Sequence, residues 1–180
     1  GGVDTMIGGA GADSYKVDST SDIVTETVVS TATTEKDSVE SSATYILKDN
    51  VEDLTLASSA GAIDGTGTAS ANTTTGNASG NTIAGKAGVD TMIGGAGADS
   101  YKVDSTSDVV TETVVSADAA EKDTVTSSAT FILKDNVEDL TLTGTGAING
   151  TGNSSANTIT GNSGINTLDG KAGVDSLIGG

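Results

Sequence analysis

The sequence has no cysteine, no proline, no histidine and no tryptophan, and all eight of its cationic side chains are lysines. Without cysteine, no disulfide can reinforce a small core. Without histidine or cysteine, a thiol nucleophile, a histidine-dependent triad and the usual zinc sites are excluded. Aromatic side chains are scarce as well: Tyr15, Tyr45, Tyr101 and Phe131 are the whole set. Val, Ile, Leu and Phe together supply 36 of 180 residues, the level at which a strongly charged chain is expected to stay disordered. The longest apolar runs are only a few residues, so no transmembrane helix is encoded.

Positive charge is the other shortage. Eight lysines face 25 Asp and Glu, for a formal charge of −17 and a pI near 4.1. Such a chain cannot neutralise a phosphate backbone, so nucleic acid is not its partner. Anionic membrane surfaces are disfavoured for the same reason. The remaining chemistry is that of oxygen ligands, which suit hard cations such as calcium. A bound divalent cation would offset both the surplus charge and the thin core.

The chain is two copies of one unit. Residues 3–22 recur without change at 89–108, and 46 of 54 positions match between 3–56 and 89–142. A third copy begins at Val174. The units divide as 1–88 (a first unit that starts inside a motif), 89–173, and 174–180 as the opening of a third. Because both ends fall within a motif, the sequence reads as a segment of a longer array.

A nine-residue period lies inside each unit. From Gly67 the chain reads GTASANTTT, GNASGNTIA, GKAGVDTMI, GGAGADSYK, VDSTSDVVT. The sixth position holds Asn72, Asn81, Asp90, Asp99 and Asp108, and the eighth is mostly large and apolar. Glycine at positions one, two and four is expected to turn the backbone through positive φ and let carbonyls approach a ligand. The last three residues of each nonapeptide predict a short strand with one side chain inward. Nine residues then make half a coil, and turns eighteen residues apart stack on one side.

The segment Gly8-Gly9-Ala10-Gly11-Ala12-Asp13-Ser14-Tyr15-Lys16, its copy at Gly94–Lys102, and the partial match Gly85–Ile93 resemble the GGxGxDxUx nonapeptide of the RTX, or hemolysin-type, calcium-binding β-roll. The resemblance implies an all-β fold, a right-handed parallel β-roll or β-solenoid. It also implies calcium held between same-side turns by position-six carboxylates and turn carbonyls. Carried onto this chain, the implied metal ligands are Asp4 paired with Asp22 and Asp90 paired with Asp108. Asp13, Asp99 and Asp175 are implied with less complete partners, and Gly8, Gly11, Gly85, Gly88, Gly94 and Gly97 come from the turns. Asp99 and Asp175 face Asn81 and Asn157 at minus eighteen, and Asp13 has Thr31 rather than an acid at plus eighteen. One or two ions per unit are therefore expected. A merely solvated acidic face would not need glycines at fixed offsets from each Asp. Where Asn replaces Asp, a stacked polar ladder closing the turns without metal is expected.

Residues 37–47 and 51–56, with their copies at 123–133 and 137–142, alternate apolar and polar positions and predict further strands. Glu26–Lys36 breaks the nine-residue period and reads as an exposed loop or bulge. Threonine is abundant, but the Thr-x-Thr pairs do not recur at a coil-matched spacing, so β-propensity explains them better than an ice-binding face.

The function expected is that of a calcium-stabilised structural repeat of an extracellular fibre, surface layer, matrix or adhesin, not an enzyme, folding on calcium after secretion; export by a type I route is implied by the family resemblance alone. Its partners would be calcium ions and further copies of itself end to end. The alternative is a non-catalytic spacer or secretion module attached to a toxin or polysaccharide-modifying enzyme.

Overall fold

The computed structural model describes residues 1–28, 35–114 and 121–180. Among these residues there is no helix, and every strand pairing is parallel. Glycines every nine residues interrupt any helical run, while the triplets between them are rich in Thr, Val and Ile, which suit a pleated strand.

In the first unit the strands are β1 (Thr5–Ile7), β2 (Ser14–Val17), β3 (Ile23–Thr25), β4 (Ser38–Ser41), β5 (Tyr45–Ile46), β6 (Asp53–Leu56), β7 (Gly65–Thr66), β8 (Thr73–Thr75) and β9 (Thr82–Ala84). The second unit continues with β10 (Thr91–Ile93), β11 (Ser100–Val103), β12 (Val109–Thr111), β13 (Thr124–Ser127), β14 (Phe131–Ile132), β15 (Asp139–Leu142), β16 (Gly150–Thr151), β17 (Thr158–Thr160) and β18 (Leu168–Asp169). β19 (Ser176–Ile178) repeats β1 and β10. Segments 37–47 and 51–56 form strands as expected, the first split by a tight turn into β4 and β5.

Odd and even strands separate into two faces. One runs β1–β3 and then β5 through β19; the other runs β2 through β12 and then β14–β16–β18. The chain is thus a parallel β-solenoid of about nine turns. At about 4.8 Å per coil it extends roughly 45 Å. Where the nonapeptides are regular the register advances by eighteen, with Thr5 opposite Ile23, Thr73 opposite Thr91 and Thr91 opposite Val109.

Among the described residues each unit contributes nine strands, an odd number. Thr5–Ile7 lies on the odd face and its copy Thr91–Ile93 on the even face. Equivalent turns of successive units therefore emerge on opposite edges of the solenoid. Each face is interrupted once, between β3 and β5 and between β12 and β14, again at equivalent places. The Asn50 amide spans the first gap to the Glu26 carbonyl at 3.2 Å, and Asn136 spans the second to the Glu112 carbonyl at 3.3 Å.

The core is built from the inward side chains of both faces, mostly one or two per strand. Met92 stacks between Thr74 and Val110, and Tyr101 between Ile83 and Val125. Each contributes about 1.5–3 kcal/mol where an apolar side chain is fully buried. Two apolar clusters result, one from Tyr15 to Leu56 and one from Ile83 to Ile159. They meet at a thin zone where Thr74 is 1% exposed and its Oγ1 has no hydrogen-bond partner. Gly65 leaves room there, since a Cβ on it would stand 2.8 Å from Thr74 Cγ2.

Unequal coil lengths also align threonines that sequence spacing does not. Thr126, Thr141 and Thr160 share one register column, as do Thr55 and Thr75. Lys102 extends the first column and Glu40 the second, so neither is a uniform threonine array.

Thr74→Val replaces the unpaired hydroxyl by a methyl of similar shape. Removing one buried unsatisfied group should stabilise the fold by about 1 kcal/mol, which corresponds to about 2–4 °C in a chain of this size. A calorimetric scan in calcium that shows no rise, or a fall, would contradict this account of the junction.

Candidate metal centres

In each turn the position-six residue precedes a strand, and its side chain meets the coil below. The main-chain N–H groups of Asp4, Asn72, Asn81, Asp90 and Asn157 donate to Oδ1 of Asp22, Asp90, Asp99, Asp108 and Asp175 at 2.7–3.1 Å. One carboxylate oxygen is thereby occupied along both edges, and the fate of the second distinguishes the sites.

At Asp22 and Asp108 the second oxygen is also capped. Asp18 and Ser19 N–H groups donate to Asp22 Oδ2 at 3.1 and 3.2 Å, and Asp104 and Ser105 do the same for Asp108 at 3.3 and 3.1 Å. These donors, led by the Asp4 N–H, hold the Asp22 carboxyl below its ordinary value. At Asp90 the second oxygen is buried with no donor. Burial first, and then the charges of Asp108 and Asp104, push this carboxyl up to about 6 against the opposing Asn72 N–H.

The structure therefore brings Asp4 to Asp22 and Asp90 to Asp108 as the spacing suggested, and adds Asp18 and Asp104. Carboxylate oxygens of Asp4, Asp18 and Asp22 lie within 4.8 Å of one another. Asp175 faces Asn157, also as expected.

Asp13 differs from expectation. Its acid partner is not at plus eighteen but at plus twenty-four: the Asp13 N–H donates to Asp37 Oδ1 at 2.8 Å. Asp99 meets Asp123 in the same way at 2.8 Å, besides Asn81 on its other side. Glu26 and Glu112 join these pairs, so that Asp13, Glu26 and Asp37 form one group and Asp99, Glu112 and Asp123 another, each with its oxygens within 4.8 Å. The expected exposed loop at Glu26–Lys36 falls partly on residues 29–34, which, like 115–120, lie outside the described residues. Its first residue is not exposed: Glu26 and Glu112 are each 7% exposed. Asp37 and Asp123 had a sequence signal, because Asp37-Ser38-Val39 and Asp123-Thr124-Val125 repeat the Asp–strand pattern of Asp13-Ser14-Tyr15, and a strict eighteen-residue rule hid it. Glu26 and Glu112 had none.

Tyr15 and Tyr101 donate their hydroxyls to Oε1 of Glu26 and Glu112. Both phenols are held above their ordinary pKa by burial and by that glutamate. Burial likewise lifts the carboxyls of Asp99 and Glu112 to about 7 and that of Asp123 to about 6, with neighbouring carboxylates adding to each shift.

The glycines act in two ways. Position four turns through positive φ, at 109° for Gly11, 134° for Gly88 and 105° for Gly97. Position one does not; it provides space. A Cβ on Gly94 would fall on Tyr101 Oη, Glu112 Oε1 and Asp99 Oδ2, one on Gly8 would meet the equivalent groups, and one on Gly85 would fall on Asp90 Oδ2. The Gly85 carbonyl packs against the coil below, 2.6 Å from where a Cβ of Gly67 would be.

The Asn turns close without a cation. Asn81 accepts the Asn77 N–H at 2.8 Å through Oδ1 and donates its amide to the Ile63 carbonyl at 2.7 Å. Asn72 and Asn157 do likewise with Val51 and Val137. Where a carboxylate would confront that carbonyl, the amide supplies the hydrogen.

The residues present fit calcium. The donors are all oxygen, Asp90 Oδ2 and Asp99 Oδ2 are buried without a partner, and glycine leaves the space beside them. A family model described as RTX calcium-binding nonapeptide repeat (4 copies) matches residues 1–15, 66–110 and 151–180, half of the chain. No curated protein and no solved structure matches the chain significantly.

Two outcomes follow for the ion-free chain. Carboxyls whose folded pKa is raised stabilise the fold fully below the ordinary carboxylate pKa, and that contribution disappears as pH rises through about 6–7. In chelator, urea midpoints should fall between pH 4 and pH 8, and in calcium, whose ligands must be deprotonated, they should rise. A chelator midpoint independent of pH would refute this. Asn81→Asp should cost about 1–3 kcal/mol in chelator, because the Ile63 carbonyl loses its donor, and less in calcium. Equal losses in both conditions would show that the amide is not standing in for a cation.

Proposed function

The chain belongs to the RTX calcium-binding nonapeptide repeat family, and from that membership we propose that it is a non-catalytic, calcium-folded structural segment of a large secreted bacterial protein. Its nonapeptide repeats bind calcium. The observation that carries the reading is the buried, unpartnered Asp90 Oδ2, stacked on the acid Asp108 in a turn whose glycine leaves room for an ion.

The physical route is coupled folding and binding. At the low free calcium of a cytosol the acids of neighbouring coils repel, and the thin core does not offset that repulsion. Outside the cell, calcium neutralises the turns and the coils stack. Each ion that binds only the folded chain stabilises it by mass action, by about 2.7 kcal/mol at a hundredfold excess over its dissociation constant. An unfolded, strongly acidic chain suits passage through a narrow type I exporter. Once folded, its length and stacked coils suit a stiff element of a fibre, surface layer, matrix or adhesin. Coils that each contact only their neighbours also allow copies to continue end to end.

No step of this role needs chemistry on a substrate. The carboxylate groups recur with the scaffold, and ion binding together with neighbouring N–H groups accounts for them.

A calcium titration followed by far-UV circular dichroism tests the reading, with magnesium as control. A cooperative coil-to-strand transition is expected with calcium, reversed by chelator and not reproduced by magnesium. Asp4→Asn with Asp90→Asn should move the midpoint to higher calcium. A strand signal already complete in chelator and unchanged by calcium would overturn it.

A further inference from the structure

We propose that Asp99, Glu112 and Asp123, and likewise Asp13, Glu26 and Asp37, form a second kind of calcium centre, separate from the nonapeptide pairs and set where each unit changes its coil length. Glu112 and Asp123 lie beyond the nonapeptide match, which stops at residue 110 and resumes at 151.

Convergence is the first support. One oxygen from each of the three acids lies within 4.8 Å of the others in both copies. The Cβ that Gly94 lacks would touch Tyr101 Oη, Glu112 Oε1 and Asp99 Oδ2 together, so these oxygens surround one point. Gly8 marks the corresponding point among Tyr15, Glu26 and Asp13.

An unmet demand for positive charge is the second. Asp99, Glu112 and Asp123 are 1%, 7% and 2% exposed. Asp99 Oδ2 is buried in this group with no donor, and in the first copy Glu26 Oε2 is in the same state. Lys16, Lys36, Lys122 and Lys171 pair with Glu40, Asp53, Asp139 and Asp169, none of which belongs to either triad. Three buried carboxylates without a counter-charge are costly. An ion with several carboxylate oxygens as ligands and few waters is calcium rather than magnesium, which keeps most of its own water.

The location gives the centre its task. Asp99 and Asp123 occupy the same position in successive coils, yet they are twenty-four residues apart. The next coil is short, with the Asp123 N–H reaching Glu138 at 2.8 Å, fifteen residues on. Glu112 and Asp123 stand where the chain leaves the regular coil and where it rejoins. An ion shared by the three acids pins both points to the Asp99 turn. The nonapeptide pairs, eighteen residues apart, bridge coils of regular length; this centre holds the irregular one. Asp13 leads into β2 on one face and Asp99 into β11 on the other, so the two triads lie on opposite edges of the solenoid.

Tyr15 and Tyr101 report on these triads directly, and the chain has no tryptophan to compete. Terbium(III), a lanthanide that occupies calcium sites, is the probe: excitation of tyrosine should sensitise its emission, since such transfer falls steeply with distance. Titrating the whole chain with terbium, and with calcium in a calorimeter, should show strong sensitised emission. Glu26→Gln with Glu112→Gln should abolish most of that emission and lower the calcium stoichiometry by one ion per unit. Tyr15→Phe with Tyr101→Phe should abolish most of the emission with stoichiometry unchanged. Asp4→Asn with Asp90→Asn should lower the stoichiometry and leave the emission. The proposal is overturned if the glutamine pair leaves emission and stoichiometry intact, or if the phenylalanine pair, which needs no carboxylate change, leaves emission intact. Loss of ions in the Asp4 and Asp90 variant alone would overturn this centre while sparing the nonapeptide reading, and absence of all ion binding would remove both.

Discussion

Two acids at the same turn position of successive coils stand about 4.8 Å apart, a separation at which like charges repel by about 0.9 kcal/mol in bulk water and about 3.5 kcal/mol at an effective dielectric of 20. A parallel solenoid with aspartate at position six repeats this contact along both edges. The turns answer it in three ways. Asn72, Asn81 and Asn157 replace the charge with an amide that donates to the coil behind. Asp22 and Asp108 surround the charge with main-chain N–H groups. Asp90 and Asp99 keep an oxygen buried and undonated, which only a proton or a cation can satisfy.

The three responses divide the solenoid into stretches of different character. Turns built on Asn close through their own amides. Coils built on paired acids are conditional. The thin core sharpens this condition, because one or two inward side chains per strand leave little apolar stabilisation to outweigh a charged turn. At the junction of the two clusters even the inward positions include a threonine, Thr74.

Geometry at the level of the unit adds a constraint of its own. Among the described residues, nine strands per unit place equivalent turns on alternating edges, so successive copies present their acid groups on opposite sides. Charge is thereby spread around the solenoid instead of accumulating along one edge. The coil of unequal length in each unit coincides with the interruption of one face, where Asn50 or Asn136 reaches across.

Much of this was legible in the residues. Glycine and position-six spacing announced parallel half-coils, and the pairs Asp4–Asp22 and Asp90–Asp108 follow from a period of eighteen, because a repeat that stacks must superimpose its equivalents. The Asn ladder was equally legible, since a neutral side chain with both donor and acceptor can close a turn alone. What the spacing could not reveal was the register across an irregular coil. Asp13 meets Asp37, twenty-four residues on, and Glu26 turns inward to Tyr15, because strand pairing, not residue count, decides which turns become neighbours. The same holds for the threonine columns and for the alternation of edges. Local pattern dictates the shape of each half-coil; only the stacked ladder of hydrogen bonds determines which half-coils touch.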